Sequence, residues 1–241
     1  MILRLNRYIS LCGLASRRAA DLLIASGKVT VNGETVIKLG TNIDENTDQI
    51  TVDGRPCVRP SEHVYLALYK PKGYLVTLKD DFGRRTIRWL LRGLKQRVYP
   101  VGRLDLDSEG LLLLTDDGEL AFRLAHPSYG VKKLYHVSVK GRLGQEDLRH
   151  FFDGIQLEDG HIAKARVKIL ESEEDTTLLS IELTEGRKRE IRRMCKIIGF
   201  PVIALTRIKY DEIPLTGLER GKWRFLSPHE VDRLKKKVGL H

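Results

Sequence analysis

Cysteine is scarce in this 241-residue chain: there are three, Cys12, Cys57 and Cys195, far apart and with no C-x-x-C pair. That spacing excludes a disulfide framework and a structural zinc site, and the seven histidines form no ligand-like cluster beside them. Each cysteine reads as a small buried apolar residue in a reducing cytoplasm. No apolar run reaches the length of a transmembrane helix. The opening "MILRLNRYISLCGLASRR" is too polar and too broken for a signal peptide. Neither G-x-G-x-x-G nor a P-loop occurs, so a nucleotide cofactor has no support. Acids are outnumbered, with 32 Asp and Glu against 42 Lys and Arg, a formal charge of +10. That balance favours a polyanionic partner, because cations that neutralise phosphates drive nucleic-acid binding. A membrane surface is the other reading of a basic chain. With 41% hydrophobic and 31% charged residues the chain folds, and its length suits one large or two modest domains.

Residues 1–60 read as a separate module. "LASRRAADLLIASGKVTVNG" puts Ala19, Leu22 and Leu23 at helical spacing, with Ser16 to cap the start and Gly27 to end it. Val29 and Val31 then alternate before an Asn32-Gly33 turn, and Ile50 and Val52 before Asp53-Gly54. Arg17 and Arg18 open the helix, either as solvated charge or projecting toward a partner. "RPCVRPSEHV" places a boundary near residue 60, so residues 61–241 form the second domain. There, strand-like segments run through "VYLALYKP", "RVYPVGRLDLD", "GLLLLTDD", "KKLYHVSVKG", "KARVKILES" and "TTLLSIELTEG". "TIRWLLRGL" and "GELAFRLAHP" read as helices, the latter stopping before Pro127. The mixture predicts an α+β fold around a mixed, largely antiparallel sheet with flanking helices.

In "EGRKREIRRMCKIIGF", Ile191, Met194, Cys195 and Ile198 make a helical apolar stripe. Arg187, Lys188, Arg189, Arg192, Arg193 and Lys196 cover the rest. A solvated face, a membrane surface and a phosphate-facing helix compete here, and the narrow stripe without Trp or Phe weakens the membrane reading. "SPHEVDRLKKK" carries a capping box, with Ser227, Pro228 and Glu230 in place, and lysines at the negative end of the helix. "GRLDLDSEGLLLLTDDGE" sets Asp105, Asp107, Glu109 and Gly110 at the first, third, fifth and sixth places of a calcium loop, and Asp116 at the twelfth. Glu at the fifth place, Leu113 at the ninth and Asp at the twelfth fit poorly. Pro100 and Gly102 also deny the loop its leading helix.

Two resemblances sharpen this. "RLNRYISLCGLASRRAADLLIASGKVTVNG", residues 4–33, resembles the S4 RNA-binding domain, which implies that Arg17 and Arg18 face structured RNA. "YKPKGYLVT", "PVGRLDLDSEGLLLLTDDG", "HPSYGVKKLYHV", "LTEGRKREIRRM" and "GKWRFLSPHEV" together, in order, resemble the ribosomal RNA pseudouridine synthases of the RsuA/RluB type. The resemblance implies isomerisation of uridine to pseudouridine by a flipped base, without cofactor or metal. It implies a monomer acting on a ribosomal RNA stem-loop or a pre-ribosomal particle, large-subunit RNA favoured over small. It places the catalytic Asp at Asp105, the tyrosine at Tyr135, and the basic partner at Arg192, with Arg193 as the neighbouring possibility. RNA contacts are expected from Arg103, Lys70, Lys72, Arg187, Arg189 and Arg193 besides the two arginines of the first module. Asp107 and Glu109 read as loop acids, and Leu111 to Leu114 as core behind the loop. Ser108, Leu134 and Asp211 depart from the usual Thr, Thr and Gly, which bears on substrate details. A non-catalytic RNA-binding protein is the competing function. A glycosidase or nuclease would need paired carboxylates or a metal.

Overall fold

The computed structural model describes residues 1–240. The chain divides into two units, Met1–Val64 with the short segment Asp116–Gly118, and Tyr65–Thr115 with the chain from Glu119 onward.

The first unit runs β1 (Ile2–Arg4), α1 (Leu5–Leu11), α2 (Arg17–Ala25), β2 (Val29–Val31), β3 (Glu34–Thr35), β4 (Asn42–Asp44), β5 (Ile50–Val52) and β6 (Arg55–Pro56). Strands pair in the order β3-β2-β5-β6, and β1 pairs with β4. Ser16 caps α2 by accepting the Ala19 N–H at 3.2 Å. Both hairpins turn where two successive residues take positive φ, Asn32-Gly33 and Asp53-Gly54. The helix face differs from the expected one: Ala20 and Ile24 are fully buried, Ala19 and Leu23 sit at the edge of the core, and Leu22 is 73% exposed. Leu5, Tyr8 and Ile9 of α1 share the core with Ala20 and Ile24, and this tertiary partner selects the line of α2 that faces inward.

The second unit contains β7 (Tyr65–Lys70), β8 (Tyr99–Pro100), β9 (Glu109–Thr115), α3 (Gly118–Ala125), β10 (Lys133–Lys140), α4 (Leu148–Asp153), β11 (Ile155–Gln156) and β12 (Ile162–Ala163). It continues with β13 (Arg166–Ser172), β14 (Thr176–Leu183), α5 (Glu190–Ile197), β15 (Val202–Tyr210), β16 (Ile213–Pro214), β17 (Trp223–Phe225) and α6 (Pro228–Lys237). The main sheet has the order β13-β14-β10-β15-β9-β7-β17, with β8 added to β9 and β16 to β15. Every pair is antiparallel except β9 with β15. The fold is thus α+β on a mixed, largely antiparallel sheet, as the segment pattern predicts.

The alternating strands β10 and β14 bury every second residue. β9 does not alternate: Leu111 to Leu114 are all buried, because both faces of this central strand are covered. On one face Leu111 and Leu113 pack with Leu120 and Leu124 of α3, Leu234 of α6 and Val238 just past its end. The capping box of α6 is formed as expected. "TIRWLLRGL" is a 3-10 turn over Ile87–Trp89 instead of a helix. Only six residues lie between Thr86 and Gly93, which takes φ 88°, so no stable helix can propagate. "RVYPVGRLDLD" contributes two strand residues and then a loop, and that loop carries the site.

Candidate active site

A cleft of about 250 Å³ opens between the Gly102–Asp105 loop, Ser108, Tyr135 and Leu205 on the sheet, and the Gly186–Arg192 segment. Asp105 projects from the loop between β8 and β9, its side chain 38% exposed. Two clamps hold the loop.

The first clamp is Lys70, the last residue of β7. Its side chain is 0% exposed, and Nζ donates to the backbone carbonyls of Pro71, Asp105 and Ser108 at 3.1, 3.0 and 2.7 Å. An ammonium has three donors, and all three are spent here. Burial pulls its pKa down to about 8, against the opposing pull of Asp105 and Glu109. Lys70 therefore corrects the expectation of an RNA contact: its ammonium is consumed inside the fold, because the strand carrying it ends under the loop. Lys70→Met should lower kcat about 100-fold with little change in KM, since misplacing a reacting group by about 1 Å costs on that order. Steady-state kinetics of the reaction that the resemblance implies check this, and an unchanged kcat would remove Lys70 from the account.

The second clamp comes from the segment leading into α5. Arg189 takes a left-handed conformation, φ 53°, so the helix begins at Glu190, and Arg187 to Arg189 lie in the loop before it. Arg189 grips the Asp107 carboxylate with two hydrogen bonds of 3.0 Å each, and its Nη1 lies 3.9 Å from Asp105. Arg192 donates from Nη2 to the Asp107 carbonyl at 3.0 Å and to Ser108 Oγ at 3.4 Å. Its Nε lies 3.4 Å from the Asp107 carboxylate. The Arg189 hydrogen bonds, joined by the charge of Arg192, hold Asp107 below the usual carboxylate range despite its partial burial. Arg193 turns elsewhere, to Asp159 at 3.1 Å and Glu158 at 3.7 Å. The cation found against the Asp105 carboxylate is thus Arg189, whereas the resemblance implied Arg192, with Arg193 as the neighbouring possibility. Helical spacing could not show this, because Arg189 precedes the helix. Arg193, expected at RNA, is engaged with acids.

Tyr135 lies on β10 and lines the cleft, buried, with Ile181 and Arg207 as its cross-strand neighbours. Arg103 is exposed and lines the cleft, as does Arg187; Lys72 is exposed. Arg17 and Arg18 are exposed on the first turn of α2 in the other unit. Arg207 escaped sequence reading: it is buried, its Nε donates to the Leu111 carbonyl at 2.6 Å, and its guanidinium stands 5.1 Å from the Tyr210 ring. Its signal was a cation two residues after the buried Leu205 in "VIALTRIKY", a signal that Lys209 shares without being buried.

Beneath the arginine segment Glu190 is buried. One carboxylate oxygen accepts the Arg187 N–H at 2.9 Å, while Oε1 has no hydrogen-bond partner. His161, Glu185 and Glu190 each bring one ligand-type atom within 4.8 Å of the others. Arg187 Nε already stands 3.5 Å from Glu185, so cationic charge is present at the cluster. Burial, with the nearby Glu185, pushes Glu190 up to about 7. A carboxyl raised on folding favours the native state below its unfolded value of 4.5, and that contribution is lost as pH rises through about 7. Glu190→Gln should accordingly gain Tm relative to the parent between about pH 5 and pH 8, by on the order of 5 °C. Thermal melts across that range check it; a variant that loses ground toward pH 8 would contradict the assignment.

The RNA pseudouridylate synthase family matches residues 64–196, and the S4 domain matches residues 3–49. The chain is 45% identical over 234 residues to "Ribosomal large subunit pseudouridine synthase B" of Bacillus subtilis, covering 96% of this chain and 95% of that protein. It is 39% identical to the protein of the same name from Shigella flexneri, covering 98% and 84%. Among solved structures, "Crystal structure of pseudouridylate synthase" superposes with a TM-score of 0.69 at 29% identity, covering 96% of this chain and 99% of that one. The chain carries an S4 domain and belongs to the RNA pseudouridylate synthase family.

Proposed function

We propose that this enzyme isomerises uridine in ribosomal RNA, with large-subunit RNA as the substrate and Asp105 as the catalytic carboxylate. The observation that carries this reading is the placement of Asp105. Its carboxylate enters a cleft shared with Tyr135 and Arg189, on a loop tied down by Lys70 and Arg192. Such anchoring holds a reacting group at a fixed position. Similarity over nearly the whole chain to two proteins named for the large ribosomal subunit supports the choice of RNA.

In the isomerisation the bond from N1 to C1′ breaks and one from C5 to C1′ forms. The proton on C5 leaves and N1 gains one. Nothing is oxidised or reduced. Asp105 engages the sugar of the target nucleotide, the Tyr135 ring supports the uracil face, and Arg189 places positive charge beside the carboxylate as the base departs. Arg192 is a positioning residue. A stacked uracil exposes neither N1 nor C5, so the nucleotide is flipped into the cleft. Arg103, Lys72 and Arg187 meet the RNA around the cleft, and Arg17 and Arg18 bind folded RNA through the S4 domain.

Tritium release from transcripts labelled at uridine C5 tests the reading, with large- and small-subunit RNA assayed separately. Release from the large-subunit transcript alone is expected. Release from the small-subunit transcript alone would overturn the substrate choice. Binding without release from either would make the protein a non-catalytic RNA binder.

A further inference from the structure

The stretch Lys79–Arg97 lies outside the cleft and has no role in the account above. It holds seven Lys or Arg against two Asp, so it carries +5 of the chain's formal +10. Its backbone is pinned, with Ile87 and Leu91 buried and Leu75 bridged to Thr86. Its aromatic residues nevertheless face water: Phe82 is 82% exposed and Trp89 55%. Asp80 folds the tip by accepting the N–H groups of Phe82 and Arg84 and pairing with the Arg84 guanidinium. Arg84 stands 5.0 Å from the Phe82 ring centroid and Arg92 5.4 Å from that of Trp89. A groove of about 510 Å³ opens on the same turn, lined by Arg88, Arg92, Arg97 and the leucines Leu78, Leu91 and Leu94.

Exposed aromatic rings flanked by arginines suit unpaired nucleotides: bases stack on the rings and phosphates meet the guanidinium groups. A membrane surface would call for a continuous amphipathic helix, and this stretch has a single 3-10 turn between loops. We propose that Lys79–Arg97 is a second RNA site, which stacks unpaired bases on Phe82 and Trp89 and holds their phosphates on Arg88 and Arg92. The inference rests on the reading of the chain as an RNA-modifying enzyme. It adds a substrate class, namely a folded RNA with single-stranded nucleotides next to the helix that presents the target.

The test uses the full chain and two labelled probes, a blunt RNA hairpin and the same hairpin with a uridine tail of about ten nucleotides. Wild type should bind the tailed probe at least about tenfold more tightly. Phe82→Ala with Trp89→Ala should lose that preference, leave blunt-hairpin affinity within about twofold, and keep the parent's Tm because both rings are exposed. Trp89→Phe should retain most of the preference. Arg88→Gln with Arg92→Gln should weaken tail binding and flatten its salt dependence by about 1.4 in log–log slope, the release from two phosphates. Photocrosslinks from 4-thiouridine in the tail should map to peptides of Lys79–Arg97. Equal affinity for the two probes, or a preference that survives both double variants, would overturn the site. So would a loss confined to phosphatidylserine vesicles, which would assign the stretch to a membrane surface. Tritium release separates this from the preceding reading. Wild-type release without tail preference overturns the second site alone, and tail preference without release from any ribosomal RNA overturns the enzyme assignment alone.

Discussion

Asp105→Asn should lower tritium release by about 10⁴-fold or more while leaving RNA affinity within about twofold and the melting temperature unchanged. The asymmetry follows from the surroundings. The side chain is 38% exposed, and the ionic contact it makes, to Arg189, is long at 3.9 Å. An exposed pair at that distance contributes about 0–1 kcal/mol to stability. The loop is held through backbone carbonyls, those of Asp105 and Ser108 to Lys70 and that of Asp107 to Arg192. An amide keeps the shape of the loop and loses the negative charge and nucleophilic oxygen. Rates on labelled transcripts, filter binding to the same RNA and a thermal melt make up the experiment. Near-parental rates would remove Asp105 from the chemistry. Rates and affinity falling together would make it a binding residue.

Gly110→Ala should be the most damaging small substitution in the second unit. Gly110 sits where β9 and β15 run parallel, paired with Arg207, and its φ is 108°. A Cβ there would lie 2.3 Å from the Arg207 carbonyl oxygen and 2.6 Å from its nitrogen, both backbone atoms that cannot rotate away. The conformation is unfavourable for any L side chain, so strain adds to the clash. A loss of about 4 kcal/mol or more is expected, which lowers Tm by roughly 8–16 °C for a unit of this size. The loop that carries Asp105 should suffer as well, because Gly110 follows Glu109 directly at the end of that loop and pairs with Lys70 of β7. Calorimetry on the variant decides. A melting temperature within 2–3 °C of the parent, roughly 1 kcal/mol, would show that the two strands can part at low cost.

Much of the fold could be read from local patterns, and the failures share a cause. The Asn32-Gly33 and Asp53-Gly54 turns, the Ser227 capping box, the alternating strands and the leucine run follow from backbone preference and side-chain period, which act within a few residues. The inward face of α2 was misread because Leu22 is apolar yet lies away from the partners on α1. "TIRWLLRGL" failed because its apolar residues serve a short turn closed by Gly93.

The candidate site divides in the same way. Its composition was legible, since Asp105, Tyr135 and the arginine segment carry the family resemblance in their motifs and do meet in one cleft. The partners were not. Which arginine reaches Asp105 depends on where α5 starts, and the left-handed Arg189 decides that. Lys70 changed from a surface cation to an internal clamp because β7 ends beneath a loop whose last residue lies 38 positions further along the chain. By itself, the sequence determined the secondary-structure periods, the turns, the basic charge and the residue types available for chemistry, all of which are local or additive properties. Tertiary structure alone decided which charges are buried, which are paired and which stay exposed, because burial and pairing depend on segments that meet only when the sheet has closed.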